Sequence, residues 1–385
     1  MIHRLERSKY FVRYTDPVSQ AVSYVFEHPD YPHTQSFYFT NPSASADGRY
    51  IWMYCAFPPA GNALFGRSLA VVDLDRDTFT HFPETMFIDA SPIVDIYSAD
   101  VYYSDASGLW RLSPTPGSKP CLVAPLPDFL KRKGNFVKLA THHTFSPDRR
   151  RLCFDAQVGM RWLMGDIDLE SGEYRLWREF DFCKNHAQLN PKKPDLMLYA
   201  EDEHAHLLTG EFRPIRRDSE NRLMRLWMLS PQGEPIYIPP LFIEARHEWW
   251  SEDGEKIYYV DWDNGTIRYD TRSGEYTVVN PRGTWHAHCN AAETLFVADE
   301  NEIDGKKWYR GCPSRVHFFN AETGKYVNIV TENPALYERT APCRYHIDPH
   351  PQFAVGERYI LYTATVTGKV SLAVTEVAPL LEKTK

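Results

Sequence analysis

The sequence lacks the short motifs that identify common nucleotide- and ester-processing enzymes. It contains no GxSxG nucleophile elbow, no Walker loop and no dinucleotide glycine motif. Its seven cysteines are scattered and include no Cys-x-x-Cys pair, which excludes a disulfide framework and a zinc ribbon. No run of about 18 apolar residues is present, so we expect no transmembrane helix.

No long stretch of the sequence carries charges of only one sign. The net charge of −8 is spread along the chain, and there is no basic stripe for a nucleic-acid partner. The first residues have neither an apolar h-region nor a small-residue cleavage site, so no signal peptide is evident and we expect a cytoplasmic protein without membrane association. Nothing in the sequence indicates an oligomeric state.

Aromatic residues, by contrast, are abundant, and one pattern recurs. Phe, Trp and Tyr reach 14 %, which favours strands over helices. A polar turn with Asp or Gly precedes a short strand rich in Tyr, Ile, Phe and Leu in seven segments: 44–56, 95–112, 146–156, 190–202, 251–262, 291–300 and 354–365. Several copies are followed by a hairpin such as DLESGEYRLW, whose turn is typical of antiparallel strands.

Seven copies in 385 residues give a mean period of about 55 residues. This period predicts an all-β protein, a seven-bladed β-propeller in which residues 1–385 form a single domain. A pair of β-sandwiches is the alternative, but it gives no reason for one turn type to recur. The segments 127–140 and 203–222 are less regular, and we interpret them as long loops, which are often functional in compact folds.

Titratable residues cluster just before the repeated strands, where propeller loops converge on the channel mouth. One cluster combines the 285–290 segment with the proline-stiffened 344–353 segment and contains His286, His288, His346, Asp348, His350 and Gln352. Nitrogen and oxygen ligands on a short, stiff loop suit a borderline divalent ion, and the absence of nearby cysteine argues against structural zinc. Taken alone, the 286–288 pair also fits two hydrogen-bonded loop histidines.

Other candidates precede other repeats. His247 and Glu248 form a His-Glu pair without the second histidine of a zincin, so His247 is either structural or catalytic. Arg225 lies between Leu and Trp neighbours, and its fork suits a carboxylate, although a blade-edge salt bridge explains it equally. Further polar candidates are His33, Gln35, His186, Gln188 and Arg222.

The order of these segments resembles a known family. HTQSFYF, HHTFSP, NHAQLNP, RLW, RHEWWSEDG, His286 and DPHPQF follow one another as in the cytoplasmic oligogalacturonate lyases, polysaccharide lyase family 22. The resemblance spans nearly the whole chain. It implies a seven-bladed propeller that cleaves short galacturonides by β-elimination with a manganese ion. It also implies His247 as the catalytic base, Arg225 as the substrate-binding arginine, and His286 and His350 as metal ligands.

The chain departs from that family at three places. Asp348 stands where the family has a ligand histidine, Ala200 stands where it has another histidine, and the family's glutamine ligand falls near Tyr345, with His346 as the nearest substitute. An aspartate adds negative charge and a harder donor, which favours Mn²⁺, with Ca²⁺ or Mg²⁺ as alternatives.

The sequence therefore predicts a metal-dependent lyase for small acidic oligosaccharides. Its predicted sugar-binding residues are His33, Gln35, His186, Gln188 and Arg222. Two alternatives stay open: a lyase or hydrolase for another acidic sugar, and a non-catalytic propeller that binds sugar or protein. The exact uronide, its linkage and the choice between endo and exo cleavage are open as well.

Overall fold

The fold is a ring of β-sheets, seen in a computed structural model. The structure describes residues 1–57, 66–87, 91–131, 136–205, 209–300, 313–336 and 348–385, and the backbone of 302–303 and 306–307. In these ranges, seven sheets of four or five antiparallel strands follow one another along the chain as the blades of a propeller. The predicted fold class is confirmed.

The elements are as follows. The chain begins with α1 (Ile2–Arg7), β1 (Phe11–Thr15) and β2 (Val22–Phe26). Blade 1 contains β3 (His33–Gln35), β4 (Tyr50–Ala56), β5 (Arg67–Asp73) and β6 (Thr78–Phe82). Blade 2 contains β7 (Ile93–Val94), β8 (Val101–Asp105), β9 (Gly108–Leu112) and β10 (Cys121–Pro125). After α2 (Asp128–Lys131), blade 3 contains β11 (Phe136–Lys138), β12 (Arg151–Val158), β13 (Arg161–Asp168) and β14 (Tyr174–Phe180).

Two of the remaining blades carry an inserted hairpin. Blade 4 contains β15 (Lys184–Leu189), β16 (Met197–Glu201), the inserted β17 (His204–Ala205) and β18 (Phe212–Arg213), β19 (Leu226–Leu229) and β20 (Ile236–Ile238). Blade 5 contains β21 (Arg246–Trp250), β22 (Lys256–Asp261), β23 (Gly265–Asp270) and β24 (Tyr276–Asn280). Blade 6 contains β25 (His286–Cys289), β26 (Leu295–Glu300), the inserted β27 (Glu302–Ile303) and β28 (Lys306–Lys307), β29 (Ser314–Asn320) and β30 (Lys325–Asn333).

The two ends of the chain share blade 7, and so close the ring. This blade combines β31 (Gln352–Ala354), β32 (Tyr359–Ala364) and β33 (Ser371–Glu376) with β2 and β1, and α3 (Val377–Lys383) follows. β2 pairs antiparallel with β33, and the buried Ser23 hydroxyl bonds to Thr375 at 2.6 Å and Tyr362 at 2.7 Å. This pairing covers the strand edges that an open ring would expose.

Each sequence repeat falls on the second strand of one blade, and hydrogen bonding explains the recurring turn. In blade 1 the Ser45 hydroxyl donates to Asp47 at 2.6 Å and accepts from the Tyr50 amide at 3.0 Å. The same arrangement recurs in blades 3 and 5, starting from Ser146 and Ser251. The side chains thus satisfy the backbone of a turn that feeds straight into a buried strand.

The apolar side chains form a cluster between each pair of neighbouring blades. Along β4, Ile51 and Met53 pack toward blade 7, whereas Trp52 and Tyr54 pack toward blade 2. Because both faces of a second strand are covered, such strands are almost continuously apolar.

One sequence-based interpretation was wrong in part. The 127–140 segment, expected to be a loop, contains α2 and β11, the inner strand of blade 3. A strand of three residues is too short to show an alternating pattern. No helix in the described ranges is long and apolar enough to cross a membrane.

Candidate metal centre and active site

The candidate residues lie where the inner strands of the blades begin. His286 is the first residue of β25, His247 is the second of β21, and His350 comes just before β31. Their rings are neighbours: the His286 centroid is 4.0 Å from that of His247 and 4.3 Å from that of His350. Inner strands start at the same face of a propeller, so residues far apart in sequence meet at one channel mouth.

Three histidines of this region have unusual backbone conformations. His186, His247 and His350 have φ angles of 56°, 47° and 47°, a left-handed region that non-glycine residues seldom adopt. The strand register shifts around His186 in β15 and around His247 in β21, which marks a bulge in each strand. A bulge redirects a side chain, and backbone strain of this kind concentrates at functional sites.

His286, Asp348 and His350 form a group with metal-binding geometry. Each offers a ligand atom, and these atoms all lie within 4.8 Å of one another. The buried Asp299 carboxylate accepts the His286 amide at 2.6 Å and lies 3.0 Å from its Nδ1, which leaves Nε2 for a metal. Asp299 also accepts the His350 amide at 3.3 Å. Two imidazoles and a carboxylate, oriented by a second carboxylate, fit a divalent cation.

The proposed fourth ligand is not tested by this geometry. His346 lies in the 337–347 segment, outside the described residues.

Arg225 is buried among carboxylates beside this group. Its Nη1 lies 3.0 Å from Asp202, its Nη2 lies 3.6 Å from Glu248, and the residue is only 2 % exposed. Burial opposes the guanidinium charge, but Asp202 and Glu248 outweigh it, and the pKa of Arg225 is raised. Burial also raises the pKa of Glu248. The site therefore holds a permanent cation.

His247 is held as a neutral imidazole. Its Nδ1 bonds to the carbonyl of Trp285. Because a carbonyl only accepts, Nδ1 carries the hydrogen, and Nε2 keeps a lone pair for a proton. Burial, followed by the neighbouring His286 and Arg225, lowers the pKa of His247 well below its usual range. This is the protonation state that a general base needs.

Several buried polar atoms in this region have no hydrogen-bond partner among the described residues. They are Tyr38 Oη, His142 Nε2, His186 Nδ1, Arg225 Nε, Glu248 Oε1 and Glu248 Oε2. The Tyr38 ring is central to them, with its centroid 5.2 Å from that of His142, 5.9 Å from that of His186 and 4.9 Å from that of His350. Buried polar groups are nearly always bonded, so this cluster is suited to a polar ligand.

The remaining predicted residues lie in different surroundings. Gln188 donates to the backbone carbonyl of Glu248 at 2.7 Å and so links blades 4 and 5. Arg222 pairs with Asp218 at 2.9 Å and with Glu220 at 3.3 Å, within its own loop.

The two predicted residues of blade 1 are buried. His33 and Gln35 lie in β3, and His33 pairs through its backbone with Val370 of blade 7. Burial lowers the pKa of His33 to about 4. Of the five predicted sugar-binding residues, His186 has a ring that contacts those of Tyr38 and His142 in the central cluster.

Sequence reasoning missed Tyr38 and Asp299. Tyr38 lies within the HTQSFYF segment, but alternation along that segment does not indicate where its hydroxyl points. Asp299 had a usable signal: it lies directly opposite His286 in the β25–β26 pair. A carboxylate across from a ligand histidine is a common orienting partner.

Fold and site together define a seven-bladed propeller with a histidine–carboxylate cluster at its channel mouth, and known proteins share the fold. An oligogalacturonate lyase in complex with manganese superposes with a TM-score of 0.72 at 17 % identity, over 95 % of this chain and 96 % of that one. The oligogalacturonate lyase of Vibrio parahaemolyticus superposes with a TM-score of 0.73 at 13 % identity, over 97 % and 98 % of the two chains.

Sequence comparison identifies relatives among the same group of enzymes. The chain is 25 % identical over 223 residues to the oligogalacturonate lyase of Dickeya dadantii, covering 55 % of this chain and 54 % of that protein. It is 27 % identical over 169 residues to the oligogalacturonide lyase of Pectobacterium atrosepticum, covering 40 % and 43 %. The match thus spans about half the length of these relatives or less, and no family profile matches the chain. The chain is a distant relative of the oligogalacturonate lyases, as the sequence resemblance predicted.

Proposed function

We propose that the protein is a metal-dependent lyase that cleaves short uronic-acid oligosaccharides, oligogalacturonides first among them, by β-elimination. One observation carries the proposal: the neutral His247 and the cationic Arg225 lie beside the convergent ligand group of His286, Asp348 and His350. The names of the sequence relatives, and the manganese bound by a protein of the same fold, support it.

The chemistry requires such a set of residues. β-Elimination from a uronide removes the proton at C5, next to the carboxylate, and negative charge then develops on that carboxylate. Arg225 would bind the carboxylate and stabilise this charge. A divalent ion held by His286, Asp348 and His350 would supply further positive charge there. Mn²⁺ fits this donor set, and Ca²⁺ or Mg²⁺ are alternatives with the same preference for oxygen.

His247 would act as the base. Its Nε2 accepts the C5 proton, because Nδ1 is engaged by the Trp285 carbonyl. The C5–H electron pair becomes the C4–C5 double bond as the C4–O bond to the next sugar breaks. The departing oxygen takes up a proton, and the product is an unsaturated uronate. Tyr38 and His142 would bind sugar hydroxyls through their free polar atoms. His186, whose Nδ1 lies 3.5 Å from Glu248, would contribute from beside them.

The test is a spectroscopic assay. The purified protein, loaded with Mn²⁺, is incubated with di- or trigalacturonate, and the absorbance of the conjugated double bond is followed. We expect a steady rise, lowered about 10²- to 10⁴-fold in His247→Ala, as for loss of a general base. His81→Ala serves as the matched control, because this histidine lies on β6 at the outer edge of blade 1 and bonds to Ser68.

Two results would count against the proposal. No absorbance change with metal bound would exclude galacturonides as substrates. Absence of metal by elemental analysis, together with full tolerance of His247→Ala, would favour a non-catalytic binding propeller.

A lyase or hydrolase for another acidic sugar is the second candidate. Asp348 and Ala200 both stand where the related family has histidine, and Ala200 is a buried residue of β16 paired with Asn185 at the edge of the site. Both changes alter the surroundings of the sugar, so the uronide recognised can differ from galacturonate.

A further inference from the structure

A second cavity lies beside the site, at the junction of blades 3 and 4. Its volume is about 630 Å³, enough for a sugar residue. The residues that matter here are Phe180, Phe182, Lys184, Tyr199, Arg216 and Trp227. None of them has a role in the elimination described above.

The cavity opens on the same face as the candidate active site. Lys184 is the first residue of the inner strand β15 and pairs in register with Glu201, the last residue of β16. This repeats the position of His286 at the start of β25. His186 of the active site is two residues beyond Lys184, and Arg225 donates to the Glu201 carbonyl at 3.3 Å. The same strand ends therefore form a wall of both sites.

The inner end of the cavity holds two cations on one buried carboxylate. The fully buried Glu201 carboxylate accepts from Lys184 Nζ at 2.5 Å, and from Arg216 Nε at 2.9 Å and Nη2 at 2.5 Å. Two cations thus share one anion. Farther out, Arg161 pairs with Glu179 and Arg178 pairs with Glu234, and Asp181 is exposed at the rim. Of these outer charges, Asp181 also attracts Arg216.

A gain in folding stability does not explain why Lys184, Glu201 and Arg216 form a buried ion cluster. Lys184 is only 3 % exposed, and taking charges out of water costs about as much as their mutual attraction returns. The cluster also retains donors. The bonds to Glu201 use one of the three N–H groups of Lys184, and they do not use Nη1 of Arg216. Cationic donors beside a cavity suit an incoming carboxylate.

Aromatic rings complete a surface for a sugar ring. Phe180, Phe182 and Trp227 are half-buried along the cavity wall. The Lys184 ammonium lies 4.7 Å from the centroid of a Trp227 ring. A flat apolar face next to two cations matches a uronate residue, which has an apolar ring face and one carboxylate.

We propose that this cavity binds an additional uronate residue of the substrate, with its carboxylate on Lys184 and Arg216. The enzyme then prefers chains of three sugars to chains of two. This inference rests on the proposed function, because it assumes that the substrate in the channel is an oligouronide.

The test compares chain lengths in Arg216→Ala. Arg216 is half-exposed, so the variant is expected to fold. We expect its KM for trigalacturonate to rise about tenfold or more, as for loss of a charged hydrogen bond, with kcat and the KM for digalacturonate unchanged. Arg217→Ala is the matched control, because this exposed neighbour does not line the cavity. Phe182→Ala gives a second variant with the same expected split.

Failure of this inference is distinguishable from failure of the proposed function. If the wild type cleaves both substrates, and both KM values change equally or not at all in the two variants, the subsite is refuted. If no protein cleaves either substrate, binding of trigalacturonate is measured by calorimetry. Weaker binding in Arg216→Ala than in Arg217→Ala then supports the subsite. Equal binding, or none to the wild type, overturns it.

Discussion

Replacing Asp299 with asparagine tests how the metal ligands are oriented. The Asp299 carboxylate accepts from the backbone of both His286 and His350 and lies 3.0 Å from His286 Nδ1. Asparagine keeps the shape of the side chain but has only one acceptor oxygen. Its NH₂ group would face Nδ1 and favour the tautomer with hydrogen on Nε2, which cannot bind a metal.

The size of the effect follows from the bonds lost. A hydrogen bond to a charged group contributes about 1.5–3 kcal/mol, which corresponds to a 10- to 150-fold change in an equilibrium constant. Loss of a partner that orients a metal ligand typically weakens metal affinity about 10- to 100-fold. We therefore expect Asp299→Asn to bind Mn²⁺ about 10- to 100-fold more weakly than the wild type.

The assay is titration calorimetry of Mn²⁺ into metal-free protein, with circular dichroism to check folding. Asp261→Asn is the matched control, because this buried aspartate only accepts bonds within the turn at residues 261–264, where asparagine is tolerated. Wild-type Mn²⁺ affinity in a folded Asp299→Asn variant would refute the reasoning.

Three further predictions concern single side chains. Tyr38→Phe removes a buried hydroxyl without a recorded partner, so thermal denaturation should show unchanged or higher stability while galacturonide cleavage falls; a parallel loss of both would contradict a ligand-binding role. Glu300 has its pKa lowered to about 2, by His317 first among its bonding partners. The Glu300 carboxylate therefore contributes to the free energy of unfolding above about pH 4.5, and this contribution is lost as the pH falls toward 2. Glu300→Gln should lower the free energy of unfolding in urea by about 3 kcal/mol at pH 7, but not at pH 2. Gly165→Ala would place a Cβ 2.9 Å from the Phe154 ring and against a backbone oxygen, and should lower stability in urea by about 1–3 kcal/mol; a neutral result would contradict the tight packing of blade 3.

The blade count was predictable because the second strand of each blade is buried on both faces. In β12, for example, Leu152 and Phe154 pack toward blade 2 and Cys153 packs toward blade 4. Such strands are therefore visible in the sequence as continuous apolar runs. The turn before each strand is also recognisable in the sequence, since Ser and Asp side chains are needed to form the hydrogen bonds of its backbone. Inner strands such as β7 and β11 have two or three residues, and their sequences carry no comparable signal.

The sequence indicates which residues are candidates for the site but not how they are oriented. His286, Asp348 and His350 have ligand atoms within 4.8 Å of one another, and their role as metal ligands stays a prediction. The bulges that turn His186 and His247 toward the channel depend on pairing with the next strand, which alternation along one strand does not encode. Contacts across three or more blades, such as those of the Tyr38 ring with His142 and His186, depend on the closed ring as a whole.

The mass of the product formed from digalacturonate tests the central claim most directly. Elimination consumes no water, whereas hydrolysis adds one molecule of water across the cleaved bond. We predict that the Mn²⁺-loaded protein yields an unsaturated uronate lighter by one water than galacturonate, together with one molecule of galacturonate, and that His247→Ala does not. Two molecules of galacturonate with no unsaturated product would contradict the account and identify a hydrolase.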